Sequence, residues 1–81
     1  MVIQIDAFEM LKKMHNLGIV RIENAKTKEE IAGLFYISVE EAENLLQELK
    51  NYKYVSSIES NSCIKYYLNS SGIIAVCSIF T

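Results

Sequence analysis

Apolar and polar residues follow a helical rhythm up to Tyr54 and a strand-like alternation after it. The first helical stretch begins after Asp6, a favourable N-cap, and ends near Gly18, where a C-terminal glycine is expected. The spacing predicts a helix over about residues 5–17. The run from Ile19 to Ile22 that follows it is β-like.

A pair of capping boxes predicts two further helices. Thr27 and Ser38 each stand three residues before a glutamate, and they are 11 residues apart. The predicted helices, over about 28–36 and 39–53, must therefore be short and joined by a tight turn, the helix-turn-helix arrangement. If Tyr36 adopted a positive φ in this turn, its conformation would be strained. The sequence therefore predicts a turn that is slightly longer or differently shaped. The predicted buried faces contain Ile31, Leu34, Phe35, Val39, Ala42, Leu45, Leu46 and Leu49.

The alternating part of the chain predicts a β-hairpin over about 54–59 and 63–69, with a polar turn at 60–62. The apolar run from Ile73 to Phe80 follows, and its periodicity does not decide between helix and strand. Mixed charge and the absence of a linker-like tract predict one α+β domain over residues 1–81.

This order of elements resembles the winged helix-turn-helix family of small archaeal and bacterial transcription regulators. Three segments carry the resemblance: Thr27–Ala42, Leu45–Leu49 and Tyr66–Gly72. The resemblance implies a three-helix core with a hairpin wing, and a regulator that binds double-stranded DNA. In this family the third helix usually enters the major groove and the wing contacts the backbone or the minor groove.

The predicted DNA-binding residues combine amide side chains with lysines at their borders. Asparagine and glutamine can donate to and accept from an adenine edge, and lysines can hold phosphates. The candidates are Lys28, Ser38, Asn44, Gln47, Lys50, Asn51, Asn61 and Lys65.

The acidic charge of the chain supports a second hypothesis about function. The net charge is −2, and residues 38–54 hold four glutamates against two lysines, a surface that phosphates repel. Acidic residues in a first helical turn also stabilise the helix, which explains part of this excess. The alternative is a winged-helix module that binds another protein instead of DNA.

Other function classes find little support in the sequence. His15 is the single histidine, and no nucleophile arrangement or glycine-rich phosphate loop is present, so we expect no enzyme, cofactor or metal. Cys63 and Cys77 match no zinc or redox spacing and are predicted to be buried free thiols. Without a membrane-length apolar run or a signal-like start, the expected location is the cytoplasm.

The apolar content, 51%, is high for 81 residues. The tail from residue 73 to 80 is interrupted only by Ser78, so both of its sides require burial. This predicts a homodimer that uses the tail, together with the first helix. The alternative is a monomer in which the tail forms a third strand or a buried last helix. The interface candidates are Ile73, Ile74, Val76, Ile79 and Phe80.

Overall fold

A computed structural model describes residues 6–80 of the chain, with side chains up to residue 78. Within this part the fold is α+β, with a three-stranded antiparallel sheet in the order β1-β3-β2 and an element order compatible with a winged helix-turn-helix. The elements are α1 (Ala7–Asn16), β1 (Lys26–Thr27), α2 (Lys28–Phe35), α3 (Val39–Asn51), β2 (Val55–Ser60), β3 (Cys63–Leu68) and α4 (Ser70–Phe80).

The predicted helix starts are confirmed by their capping hydrogen bonds. The side chains of Asp6, Thr27 and Ser38 each accept a hydrogen bond from the backbone N–H three residues ahead, at 2.7, 3.1 and 3.0 Å. At Thr27 the box is complete, because Glu30 Oε1 accepts the Thr27 N–H at 3.0 Å. This hydrogen bond is the main reason that the pKa of Glu30 lies below its ordinary value.

One hydrophobic core joins the helices to the sheet. The predicted faces of α2 and α3 are confirmed except at two positions beside the turn, where Leu34 and Val39 are exposed and not buried as predicted. Val39 opens α3, and Leu34 lines an open groove between the ends of α1 and α2, so no element among residues 6–80 covers either side chain. The largest fully buried side chains are Met10, Leu11, Met14, Ile19, Ile31, Leu46, Leu49 and Leu68.

The turn between α2 and α3 corrects the prediction made for Tyr36. Tyr36 adopts the left-handed conformation, with φ 59° and ψ 41°. Its N–H and that of Ile37 both reach the carbonyl of Ala32, and its side chain is 84% exposed. The two hydrogen bonds to the Ala32 carbonyl stabilise the tight turn, and the exposed ring of Tyr36 lies in solvent. The left-handed conformation is therefore retained despite its strain.

Replacing Tyr36 with glycine is therefore expected to raise the free energy of unfolding by about 1 kcal/mol, because glycine adopts a left-handed conformation without the Cβ penalty. Tyr36→Ala is the control, since it removes the exposed ring but keeps the Cβ. Urea denaturation of the three proteins measures the effect. An unfolding free energy no higher in Tyr36→Gly than in Tyr36→Ala would contradict this account.

The β-like run at 19–22 is not a strand. The carbonyl of Ile19 accepts a single hydrogen bond from Leu68 N–H at 2.8 Å, and the chain then turns through a 3₁₀ segment at Ile22–Asn24. The strand forms later, at Lys26–Thr27, where the backbone comes alongside the middle of β3. The local apolar pattern was misleading because it reflects burial of Ile19 and not strand pairing.

The two thiols are also placed differently from the prediction of burial. Cys63 opens β3 at the tip of the hairpin and Cys77 lies on the outer side of α4, and both are exposed. Within the described part of the chain no other element covers either position, so the small apolar thiols are exposed. Within residues 6–80, no helix is both long and apolar enough to cross a membrane.

The apolar tail forms the helix α4, which packs against α1 and β3. Its inner side contains Gly72, Ala75 and Val76, which are buried, whereas Ile74 on the other side is 65% exposed. Val76 therefore belongs to the core of its own chain, and its role as an interface residue stays a prediction. The predicted interface residues Ile79 and Phe80 have side chains outside the described part.

Candidate nucleic-acid interface

The exposed face of α3 carries the predicted amide residues in one row. Asn44, Gln47 and Asn51 are all exposed, and their spacing of three and four residues places them along the same side of the helix. Gln47 Nε2 donates to Asn51 Oδ1 at 3.3 Å. This contact aligns two of the three amides while leaving their remaining donors and acceptors open to solvent.

An ion pair joins the start of α2 to this face. Lys28 Nζ lies 2.7 Å from Glu43 Oε2, and the two side chains remain 35% and 55% exposed. The hydrogen bond with Glu43 raises the pKa of Lys28 above its ordinary value. Lys28, which the sequence predicts to hold a phosphate, is thus held by a carboxylate of α3.

A second contact joins α3 to the hairpin. Lys50 Nζ donates to Ser57 Oγ of β2 at 3.1 Å, and Lys50 is half-buried between the helix and the strand. Ser57 pairs with Tyr66 and lies on the same side of the sheet as the buried Val55. The hydrogen bond uses one of the three ammonium donors of Lys50, so the others stay available at the helix–hairpin junction.

The hairpin tip is a two-residue turn. Asn61 and Ser62 both have positive φ, 51° and 67°, as a type I′ turn requires. A cleft of about 260 Å³ separates this tip from the start of α2. The cleft is lined by Thr27, Lys28, Glu29, Ser62, Cys63, Ile64 and Tyr66. The start of α2, the exposed face of α3 and the hairpin therefore border one another.

Two further candidates, Ser38 and Lys65, interact with other residues of the chain. The hydroxyl of Ser38 accepts the Glu41 N–H at 3.0 Å and caps α3. Lys65 lies in the central strand, opposite Ile58, and its charge helps to lower the pKa of Glu30. Lys65 is thus on the body of the hairpin and beside a carboxylate, whereas Asn61 lies at the tip.

The electrostatic balance of this surface is acidic. Glu40, Glu43 and Glu48 are all exposed on α3, and the lysines Lys28 and Lys50 are engaged in the contacts described above. The sequence predicts that part of the acidic excess of α3 stabilises the helix, and it does not predict the contact of Glu43 with Lys28. The pair spans 15 residues, and no local pattern signals a contact at that separation.

Comparison of the chain with models of known protein families, with curated proteins and with solved structures finds no match. Within the described residues, no group of three or more potential metal ligands comes together. The surface formed by α2, α3 and the hairpin is therefore the structural feature that bears on function.

Proposed function

We propose that this protein is a winged helix-turn-helix regulator that binds duplex DNA, with α3 as the recognition helix and the β2–β3 hairpin as the wing. The observation that carries the proposal is the exposed row of Asn44, Gln47 and Asn51 on a helix bordered by the wing and by the start of α2. Amide side chains in such a row can form paired hydrogen bonds with adenine edges in the major groove.

The dimensions of the surface support this role. A helix of 13 residues is about 20 Å long, and a major groove about 12 Å wide admits one α-helix. Lys28 contacts Glu43, which is seven residues before Lys50, so both lysines lie along the same side of α3, one near its start and the other near its end. In this arrangement they would contact phosphates along one side of the groove, while the amides beside them face the bases.

The charge of this surface determines how DNA binding should depend on salt concentration. With two or three lysine–phosphate contacts, the logarithm of the binding constant should fall with the logarithm of salt concentration with a slope of about −2 to −3. Fluorescence anisotropy with a mixed-sequence duplex, starting at about 50 mM salt, measures this slope. The absence of binding to any duplex at that salt concentration would contradict the proposal.

A module that binds a basic protein surface is the second candidate. The observation that favours it is the set of three exposed glutamates on α3, Glu40, Glu43 and Glu48. The salt titration separates the two candidates, because only a DNA-binding surface would retain affinity for an arbitrary duplex at low salt.

Two substitutions should separate base reading from phosphate contact. On a site selected from a random duplex library, Gln47→Ala should weaken binding by about tenfold and leave mixed-sequence binding unchanged, because an amide–base pair contributes about 1–3 kcal/mol of discrimination. Lys50→Ala should weaken binding to all duplexes and make the salt slope smaller by about one. Equal losses on selected and mixed duplexes for Gln47→Ala would show that Gln47 reads no base.

Glu43→Gln is expected to tighten binding to mixed-sequence duplex by about three- to tenfold at low salt and to increase the slope by about one. The change releases Lys28 from its carboxylate partner and makes its charge available to a phosphate. Glu48→Gln is the matched control, because it removes the same charge from an exposed position of α3 that is not paired with Lys28. If both variants gained equally, the effect would be one of net charge and not of the ion pair.

A further inference from the structure

We infer that α3 reads A·T base pairs, so that the DNA bound by this protein is an A·T-rich duplex. The inference rests on the proposed function and names the class of DNA that the α3 surface selects. Its basis is a ridge of side chains spaced four residues apart on α3, Val39, Glu43, Gln47 and Asn51. Residues at that interval follow one another along one side of a helix, and all members of this ridge are exposed.

The hydrogen bonding of Gln47 leaves its amide matched to adenine. Gln47 Nε2 donates one N–H to Asn51 Oδ1 at 3.3 Å. The Gln47 amide therefore retains one N–H and its carbonyl oxygen, and adenine presents the complementary acceptor N7 beside the N6–H donor in the major groove. A guanine edge presents two acceptors, N7 and O6, which this donor–acceptor pair cannot satisfy together. Gln47 thus distinguishes A·T from G·C pairs.

The first turn of α3 adds a side chain suited to thymine. Val39 is 39% exposed and lies eight residues before Gln47 on the same ridge. In helix-turn-helix proteins the N-terminal residues of the recognition helix contact base edges. The C5-methyl group of thymine is the apolar group that the major groove presents. An exposed valine at the start of α3 therefore favours thymine over the other bases.

The exposed face of α3 lacks arginine, the side chain that most often reads guanine. The single arginine of the sequence, Arg21, lies between α1 and β1, outside both α3 and the hairpin. Lysine can also donate to guanine, but the hydrogen bond from Lys50 to Ser57 holds its ammonium group at the hairpin. The carboxylate of Glu43 only accepts hydrogen bonds, so it can take an N–H from adenine or cytosine and gives guanine no donor.

Fluorescence anisotropy with two hairpin duplexes of equal length and charge tests the inference at about 50 mM salt. One stem contains only A·T pairs in mixed order, and the other contains only G·C pairs in mixed order. The A·T stem should bind at least about tenfold more tightly, because one paired base contact supplies roughly that factor. Equal affinity for the two stems, or a preference for G·C, would overturn the inference and leave the proposed function intact. Binding to neither stem would overturn both.

Two modified A·T stems separate base reading from groove shape. In one stem 7-deazaadenine replaces adenine, which removes the N7 acceptor; wild-type binding should weaken by about tenfold, and binding of Gln47→Ala should change by less than about twofold. In the other stem uracil replaces thymine, which removes the C5-methyl group and should weaken wild-type binding by about fourfold. Both modifications leave the minor-groove edges unchanged, so a preference for a narrow minor groove would survive them. Insensitivity of the wild type to both would overturn the inference.

The assignment of Val39 has its own pair of variants. In Val39→Ala the loss caused by uracil should fall from about fourfold to less than about twofold, because the shortened side chain no longer reaches the thymine methyl group. Leu34→Ala is the matched control, since Leu34 is an exposed apolar residue of α2, 45% exposed, that lies outside the ridge. Circular dichroism checks that both variants fold. An equal effect of uracil in the two variants would overturn the contact between Val39 and thymine.

Discussion

Replacing Gly72 with alanine is expected to lower the free energy of unfolding by about 3 kcal/mol, the upper part of the range for overpacking a tight site. A Cβ at position 72 would stand 2.3 Å from the carbonyl oxygen of Tyr54 and 2.9 Å from Leu68 Cγ. The closer neighbour is backbone and cannot rotate away. Either α4 or the segment between α3 and β2 must move, and each movement disturbs the core.

Gly33→Ala is the matched control for this substitution. Gly33 lies inside α2, and nothing stands within 4 Å of the position its Cβ would occupy. Alanine should therefore raise the unfolding free energy there by about 0.5–1 kcal/mol through its higher helix propensity. Urea denaturation of both variants measures the contrast. Equal changes at positions 72 and 33 would refute the close approach of α4 to the Tyr54 carbonyl.

Replacing Asn69 with alanine is expected to cost about 2–3 kcal/mol, because one side chain makes three hydrogen bonds that join separate elements. Its Nδ2 donates to the carbonyl of Lys53 and to Ser56 Oγ, and its Oδ1 accepts the Gly72 N–H, each at 3.0 Å. Asn69 thus caps α4 and ties that helix to the end of α3 and to β2.

Asn69→Asp separates the two parts of this effect. Aspartate keeps the acceptor that caps α4 and loses both donors, so its unfolding free energy should lie between those of the wild type and Asn69→Ala. Thermal and urea unfolding of the three proteins provide the comparison. If the aspartate variant matched the wild type, the donated hydrogen bonds would contribute nothing to stability.

Some of the predicted DNA-binding residues are placed as the DNA-binding hypothesis requires, and others are not. The amides of α3 lie exposed in one row as predicted, because helical spacing alone places them together. Lys28 and Lys65 lie beside carboxylates instead of standing alone, since α2, α3 and β3 come together only in the folded chain. Glu43→Gln is therefore the most informative single change for the proposed function.

Several features depend on short-range interactions, and these could be predicted from the sequence. Asp6, Thr27 and Ser38 cap their helices because the partner of each is the backbone N–H three residues ahead. The polar turn between two alternating runs likewise predicts the hairpin, since its strands are joined by only two residues.

The remaining features follow from packing in the folded chain, because they depend on residues that are distant in sequence. Tyr36 stays left-handed because the tight turn and its hydrogen bonds to Ala32 outweigh a strain of about 1–2 kcal/mol. The strand forms at Lys26–Thr27 because β3 passes there. The apolar tail becomes a helix with one buried side because Gly72 lets it approach Tyr54 and pack on α1. Hydrophobic periodicity indicates which residues favour burial, but the packing of the elements determines which of them are buried.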